Sequence, residues 1–317
     1  MNVLSLFDGI ACARMALDKL GIKCIYYSSE VDASAADVAK ANYPDIIQLG
    51  DVRNIDSSKL PKIDLLIGGS PCQDLSVLKQ NGKGLEGDKS KLFFEYLRLL
   101  KELSPSFFLL ENVKNKWGKE MDSLVGVEHV EINSSRFVPQ NRPRWYWTNI
   151  AFAGSHWPKM ESKRWKIEGR KYAQYRRTYW RVNQSGICPC LTANMGTGGH
   201  NVPFKVIGDC LEDNLPKPVI KEGKKLIIPE CYRKLTPEDC EELQGIEIGY
   251  TGKTNASASK RYKMIGNCFT VPVIASFLKP LFDLYKDGKV PCEVEIEDCK
   301  SKKEMTNVNR LEQETLF

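Results

Sequence analysis

No run in this chain approaches the ~18 consecutive apolar residues that a membrane-spanning helix needs, and Met1 leads into a strand-like segment rather than a basic stretch followed by an apolar one. Both absences point to a cytoplasmic protein with no membrane partner. No Cys-x-x-Cys pair occurs. The 11 cysteines are odd in number and scattered, which fits reduced thiols rather than a disulfide framework. Cys188, Cys190, Cys210 and His200 have no companion pair at metal-ligand spacing, so no metal is expected. The chain also lacks Gly-x-Gly-x-x-Gly, which disfavours a dinucleotide cofactor. Neither charge sign dominates: 46 Lys and Arg against 40 Asp and Glu leave +6, so only the location of the charge can identify a polyanionic partner.

What is present is an alternation. Short apolar or β-branched runs at 2–6, 23–29, 46–49, 63–67, 106–110 and 144–150 are separated by helical patterns at 11–20, 32–41, 90–103 and 115–124. Gly21 stands where a helix C-cap belongs and Pro44 stops the second helix, so the first fifty residues read as β-α-β-α-β. This predicts an α/β fold on a parallel sheet, with ligands at the carboxyl ends of the strands. From 152 to 230 the alternation lapses and the composition turns basic and aromatic, which marks a second, inserted domain. A helix start returns at Thr236-Pro237-Glu238-Asp239, and the apolar segment 271–283 is expected to pack back on the first sheet. The first domain is thus 1–151 completed by 231–290. Residues 291–317 form a charged tail without apolar periodicity, expected to be flexible.

Five places carry chemistry. Phe7-Asp8-Gly9-Ile10-Ala11 joins the first strand to the first helix, where a small residue lets a cofactor approach the backbone, although an ordinary turn would read the same. Glu30 and Asp51 follow the second and third strands; carboxylates at that edge suit ribose hydroxyls and an adenine amino group, while solvated surface acids remain the plain alternative. Gly68-Gly69-Ser70-Pro71-Cys72 follows the most apolar strand and precedes a loop rich in Gly and Lys. A thiol held there is a candidate nucleophile if nearby cations favour the thiolate, and otherwise a small buried hydrophobe. Glu111 ends another buried strand at the same edge, where a partly desolvated acid can donate a proton, with an unremarkable strand-end acid as the plain alternative. Arg142 and Arg144 alternate along an extended segment and should point to one side, as a positive pocket wall or as a surface ion-pair stripe.

In order along almost the whole chain, these blocks resemble the cytosine-5 DNA methyltransferase family. The match comprises the turn 7–11, Glu30, Asp51, Pro71-Cys72-Gln73, Glu111-Asn112-Val113, Gln140-x-Arg142-x-Arg144, Arg233-x-Leu235-Thr236-Pro237-Glu238 and Gly266-Asn267 with Val271-Pro272. The resemblance implies a Rossmann-like S-adenosylmethionine-dependent fold with an inserted target-recognition domain. It implies Cys72 as the nucleophile on C6 of a flipped-out cytosine, Glu111 as the proton donor to N3, and Arg142 and Arg144 at the cytosine and its phosphates. Phe7, Asp8, Gly9, Ile10, Glu30, Val31, Asp51, Val52, Pro71 and Asn267 would line the S-adenosylmethionine pocket. Ala11 and Asp74-Leu75-Ser76 depart from the bacterial pattern and are similar to the de novo enzymes of animals, whereas the late blocks are similar to bacterial and phage restriction-modification enzymes.

The inserted region carries Lys159, Lys163, Arg164, Lys166, Arg170, Lys171, Arg176, Arg177 and Arg181, interleaved with Trp157, Trp165, Tyr172, Tyr175, Tyr179 and Trp180. That is the footprint of a nucleic-acid surface, with a solvated basic face as the plain alternative. Thr192, Asn194, Gly198, Gly199 and His200 are expected at the recognition edge, and Gln73, Ser76 and Gln140 at the DNA. Double-stranded DNA is the expected partner; no obligatory protein partner is expected, and a cognate restriction endonuclease would act separately. Two alternatives stand beside this reading: methylation of tRNA, since one branch of the family uses the same blocks on RNA, and a catalytically silent DNA-binding regulator.

Overall fold

The computed structural model describes residues 1–71, 91–150, 172–176, 179–183, 186–196, 202–207, 220–221, 225–226 and 230–285. A seven-stranded sheet carries the fold. Its strands are β1 (Asn2–Leu6), β2 (Ile25–Ser29), β3 (Ile47–Gln48), β4 (Leu65–Gly69), β5 (Phe107–Val113), β6 (Val130–Asn133) and β7 (Pro143–Thr148), in the order β3-β2-β1-β4-β5-β7-β6. Strands β1 to β5 run parallel, with Val3 opposite Leu65 and Leu65 opposite Phe107. β7 is antiparallel to both β5 and β6. The parallel expectation therefore holds for five strands and fails at one edge. β6 escaped the sequence reading because it is short and two of its four residues, Val130 and Glu131, are exposed, which hides the apolar alternation.

Both faces of the sheet are covered, and successive strand residues show it. Val3, Leu65, Ile67 and Leu109 enter one apolar core, while Leu4, Leu66, Phe108 and Leu110 enter the other. The first core is completed by α1 (Cys12–Lys19), α2 (Ala33–Asn42) and a late helix. The second is completed by α3 (Lys91–Leu103), which turns Phe93, Tyr96 and Leu99 inward, and by α4 (Gly118–Val125). The chain runs β1-β2-β3 outward in one direction, then returns through β4 and β5 in the other, so the switch point lies between the carboxyl ends of β1 and β4.

A second, four-stranded sheet pairs β8 (Tyr172–Arg176), β9 (Tyr179–Asn183), β10 (Phe204–Val206) and β13 (Tyr232–Lys234), beside a small ladder of β11 (Ile220–Lys221) and β12 (Lys225–Leu226). β13 pairs with β10, so residues 232–234 sit with the second sheet rather than with the first. The return to the first sheet follows through α5 (Pro237–Gln244), α6 (Ala258–Asn267) and α7 (Val271–Tyr285). α5 opens with the expected Thr236 N-cap and Pro237 at its first position, and Asp239 returns a hydrogen bond to complete a capping box. Val271, Val273, Ile274, Phe277, Leu278 and Leu281 of α7 pack with Ala13, Ala16 and Leu17 of α1, each large apolar side chain contributing about 1.5–3 kcal/mol. No single described helix is long and apolar enough to cross a membrane.

Candidate active site

The loop after β1 departs from ordinary backbone at alternate residues. Phe7, Gly9 and Ala11 all lie in the left-handed region, with φ of 56°, 60° and 61°. For Phe7 and Ala11 such backbone costs roughly 1–3 kcal/mol each and persists only where neighbours enforce it. The enforcement comes from beneath. Asp8 is buried, and its carboxylate accepts hydrogen bonds from Ser5 Oγ (2.6 Å), Tyr26 OH (2.7 Å) and Ser28 Oγ (2.7 Å). Burial outweighs those bonds and raises its pKa to about 6. Tyr250 OH donates to the Ile10 carbonyl from the late part of the chain, at 2.8 Å. A Cβ at Gly9 would meet nothing within 4 Å, so the outer side of the loop is open to a ligand.

At the end of β2, three backbone N–H groups orient Glu30: Gly9 N donates to Oε2 at 2.8 Å, and Val31 N and Asp32 N to Oε1 at 2.8 and 2.7 Å. Val31 beside it is 72% exposed, an apolar surface next to an oriented acceptor. Asp51 accepts from Arg53 N and from its guanidinium, contacts that hold the carboxyl below its usual range. Val52 is buried in the second core, which leaves only its backbone to a ligand, and Asn267 ends α6 exposed. Strand-end acceptors, an exposed apolar side chain and an open, pre-strained loop form a donor set that fits an adenosine-bearing cofactor.

Gly69 and Glu111 are neighbours in register on β4 and β5. A Cβ at Gly69 would stand 2.8 Å from the Phe269 ring and 3.0 Å from Glu111 Oε2, so glycine is required where the chain passes between them. Arg144 Nε pairs with Glu111 Oε1 at 2.8 Å, both side chains mostly shielded from solvent. Asn112, buried, donates from Nδ2 to Ser70 Oγ at 3.0 Å and accepts from Val113 N at 2.8 Å. It thereby anchors Ser70, the residue before Pro71. The sequence reading named Asn112 within a block but gave it no task, since only the fold sets it against Ser70. Tyr250 and the Lys263–Asp32 ion pair (2.6 Å) were likewise not foreseen, because their partners are more than 200 residues away.

Two expected assignments are corrected by burial. Gln140, expected at the DNA, is completely buried: its Nε2 donates to Leu243 O and Gln244 Oε1, both at 3.0 Å, and its Oε1 accepts from Leu191 N at 3.1 Å. Arg142, expected beside Arg144 as a pocket wall, is 3% exposed. Its guanidinium donates to the carbonyls of Leu191 (2.8 Å), Cys268 (2.9 Å) and Gly266 (3.2 Å). Tyr172, counted in the basic aromatic footprint, belongs to the core shared by the second sheet, α5 and α6. Thr192 and Asn194 are exposed, in and beside the 3-10 turn Ala193–Gly196. Cys72, Gln73, Ser76, Gly198, Gly199 and His200 lie outside the described residues, as does all of 157–171.

A doubly wound sheet whose one antiparallel strand, β7, lies between β5 and the edge strand β6 is the fold of S-adenosylmethionine-dependent methyltransferases. The profile of the family described as C-5 cytosine-specific DNA methylase matches residues 1–152 and 147–283. The chain belongs to that family. It is a DNA cytosine-5 methyltransferase that uses S-adenosylmethionine. It is 29% identical over 333 aligned positions to the type II methyltransferase M.Bsp6I of Bacillus sp. strain RFL6, covering 89% of this chain and 98% of the relative. It is 28% identical to the type II methyltransferase M.SsoII of Shigella sonnei, over 86% of this chain and 78% of the relative. The fold is shared with the Dnmt2 methyltransferase of S. pombe (TM-score 0.62, 18% identity, 89% of this chain and 99% of that one). It is also shared with EhMeth of Entamoeba histolytica (TM-score 0.63, 15% identity, 89% and 98%).

Proposed function

We propose that the chain methylates a cytosine within a short, specific sequence of double-stranded DNA, with Cys72 as nucleophile and Glu111 as proton donor. The Arg144–Glu111 ion pair beside Gly69, one residue from the Ser70-Pro71 approach to Cys72, is the observation that carries this reading. Addition of the Cys72 thiolate to C6 of cytosine moves ring electrons toward N3, which takes a proton from Glu111 after that carboxylate has gained one from solvent. Arg144 then stabilises the carboxylate left behind, in a site where that charge is poorly solvated. C5 becomes nucleophilic. Bound S-adenosylmethionine supplies an electrophilic methyl group on a sulfonium sulfur. Loss of the C5 proton to a base, return of the N3 proton to Glu111 and expulsion of the Cys72 thiolate restore the aromatic ring.

The backbone of Phe7 to Ile10, the carboxylates of Glu30 and Asp51, the exposed Val31, Pro71 and Asn267 would hold the cofactor, with Asp8 acting from beneath the loop. Duplex contacts would come from the basic residues of 157–181 and from the exposed turn at Thr192 and Asn194, offsetting the few kcal/mol that extruding a base costs. Bisulfite sequencing of plasmid DNA from cells expressing the protein, beside a Cys72→Ala control, tests the proposal. Unconverted cytosines in one sequence context, absent from the control, are expected. Complete conversion with both proteins soluble overturns it.

A further inference from the structure

Gln140, Arg142 and Arg144 alternate along one extended segment, yet they serve two different places. Gln140 accepts the Leu191 N–H and Arg142 donates to the Leu191 carbonyl, so the two side chains together take both polar groups of that residue's backbone. The same segment is stitched to the strand approach by Asn141 N to Cys188 O (2.8 Å) and Cys188 N to Pro139 O (2.7 Å). Two residues further along, Arg144 grips Glu111. Along this one segment, the backbone leading into the exposed turn Thr192–Asn194 is therefore tied to the carboxylate that faces the cytosine.

The opposite side of that turn is equally constrained. A Cβ on Gly266 of α6 would stand 2.2 Å from the Thr192 carbonyl carbon and 2.5 Å from Ala193 N, so the turn lies directly on the α6 backbone. Arg142 completes the joint. Its Nη2 reaches the Gly266 and Cys268 carbonyls, where the C-terminal end of a ten-residue helix presents partial negative charge to a buried cation. Among the described residues no carboxylate pairs with Arg142, so carbonyls from two elements carry its whole described set of oxygen contacts. A planar fork spreads its five donors over three nitrogens and so reaches three carbonyls set apart around it; a lysine ammonium has its three donors on a single nitrogen and cannot reproduce that geometry.

We propose that Gln140 and Arg142 are positioning residues that set where the 191–196 turn stands relative to Glu111, and thereby determine which DNA sequences reach the site productively. The proposal rests on the reading that Thr192 and Asn194 face DNA. In steady-state assays of the full-length protein on a duplex carrying its methylation site, Arg142→Lys raises KM for DNA about tenfold and lowers discrimination against one-mismatch duplexes. KM for S-adenosylmethionine moves less than threefold, and kcat at saturating DNA falls less than KM rises. Gly266→Ala, which displaces the same turn from the other side, gives the same pattern and stands in where Arg142→Lys fails to melt cooperatively. Thr192→Ala and Asn194→Ala separate the two readings. If they alter KM for DNA while Arg142→Lys and Gly266→Ala do not, the positioning role is overturned and the DNA reading stands. If neither changes KM for DNA or mismatch discrimination, the DNA reading fails and the proposal falls with it. A loss in Arg142→Lys confined to kcat or to the cofactor KM also overturns the proposal, because Arg142 would then act at the reacting base or on the cofactor.

Discussion

Replacing Asp8 with asparagine removes a buried carboxyl from beneath the strained 7–11 loop while keeping its shape. In the folded chain, desolvation raises this carboxyl from its ordinary 3.8 to about 6, against the opposing pull of Ser5, Tyr26 and Ser28 and with a small push from the Glu30 charge. Between those two values the folded protein holds a proton that the unfolded chain has released. Stability therefore falls as pH rises from about 4 to about 6, and the contribution present at acid pH is gone above the folded value. The shift of about 2 units, at 1.36 kcal/mol each, sets a ceiling of about 3 kcal/mol. The asparagine of the variant does not titrate. Urea denaturation of the parent and Asp8→Asn at intervals from pH 4.5 to 7.5 isolates the effect, since every other group cancels in the difference. The expected result is a parent that loses about 2 kcal/mol relative to the variant across that range, the rest of the ceiling lying below pH 4.5. A difference that is flat with pH, or that favours the parent as pH rises, refutes the reasoning, because the carboxylate would then be stabilised by its three hydroxyl donors more than burial penalises it.

Glu111→Gln keeps the strand geometry but cannot donate an acidic proton to N3, so kcat should fall at least about 100-fold with DNA binding retained; single-turnover methyl transfer and a filter-binding assay check both. Gly69→Ala places a methyl group against Phe269 and the Glu111 carboxylate. It should cost about 1–3 kcal/mol in thermal or urea unfolding and lower kcat, and parent-like values of both would show that the gap relaxes. Asn112→Ala leaves Ser70 Oγ and Val113 N without their partners in a buried site. A stability loss of about 1–3 kcal/mol with kcat reduced roughly tenfold is expected, and an unchanged kcat would mean that Ser70 does not transmit its position to Pro71 and beyond.

Much of the site was legible because its parts are short and local. A strand that ends in Gly68-Gly69-Ser70-Pro71 or in Glu111-Asn112 declares its own edge through hydrophobic run length and the breakers that follow, and five such edges on a parallel sheet must converge. The glycine turn at Phe7 to Ala11 and the helix start at Thr236-Pro237 are written within a few residues each. Long-range partners leave no such mark. Nothing local distinguishes Arg142 from Arg144, yet the tertiary arrangement gives one a set of backbone carbonyls and the other a carboxylate, because the 186–196 segment and the end of α6 close over only the first. Gln140 reads as a polar surface residue and is completely buried, since α5 and Leu191 satisfy both ends of its amide.

The sequence by itself determined the parallel core, the order of the strand-end groups and the chemistry they can support, through periodicities of two and 3.6 residues and the backbone preferences of glycine and proline. The tertiary structure alone decided which polar side chains stay at the strand ends and which become buried struts. A hydrogen-bonding group buried in the fold must find its partner wherever the chain brings one, and sequence distance places no limit on where that is.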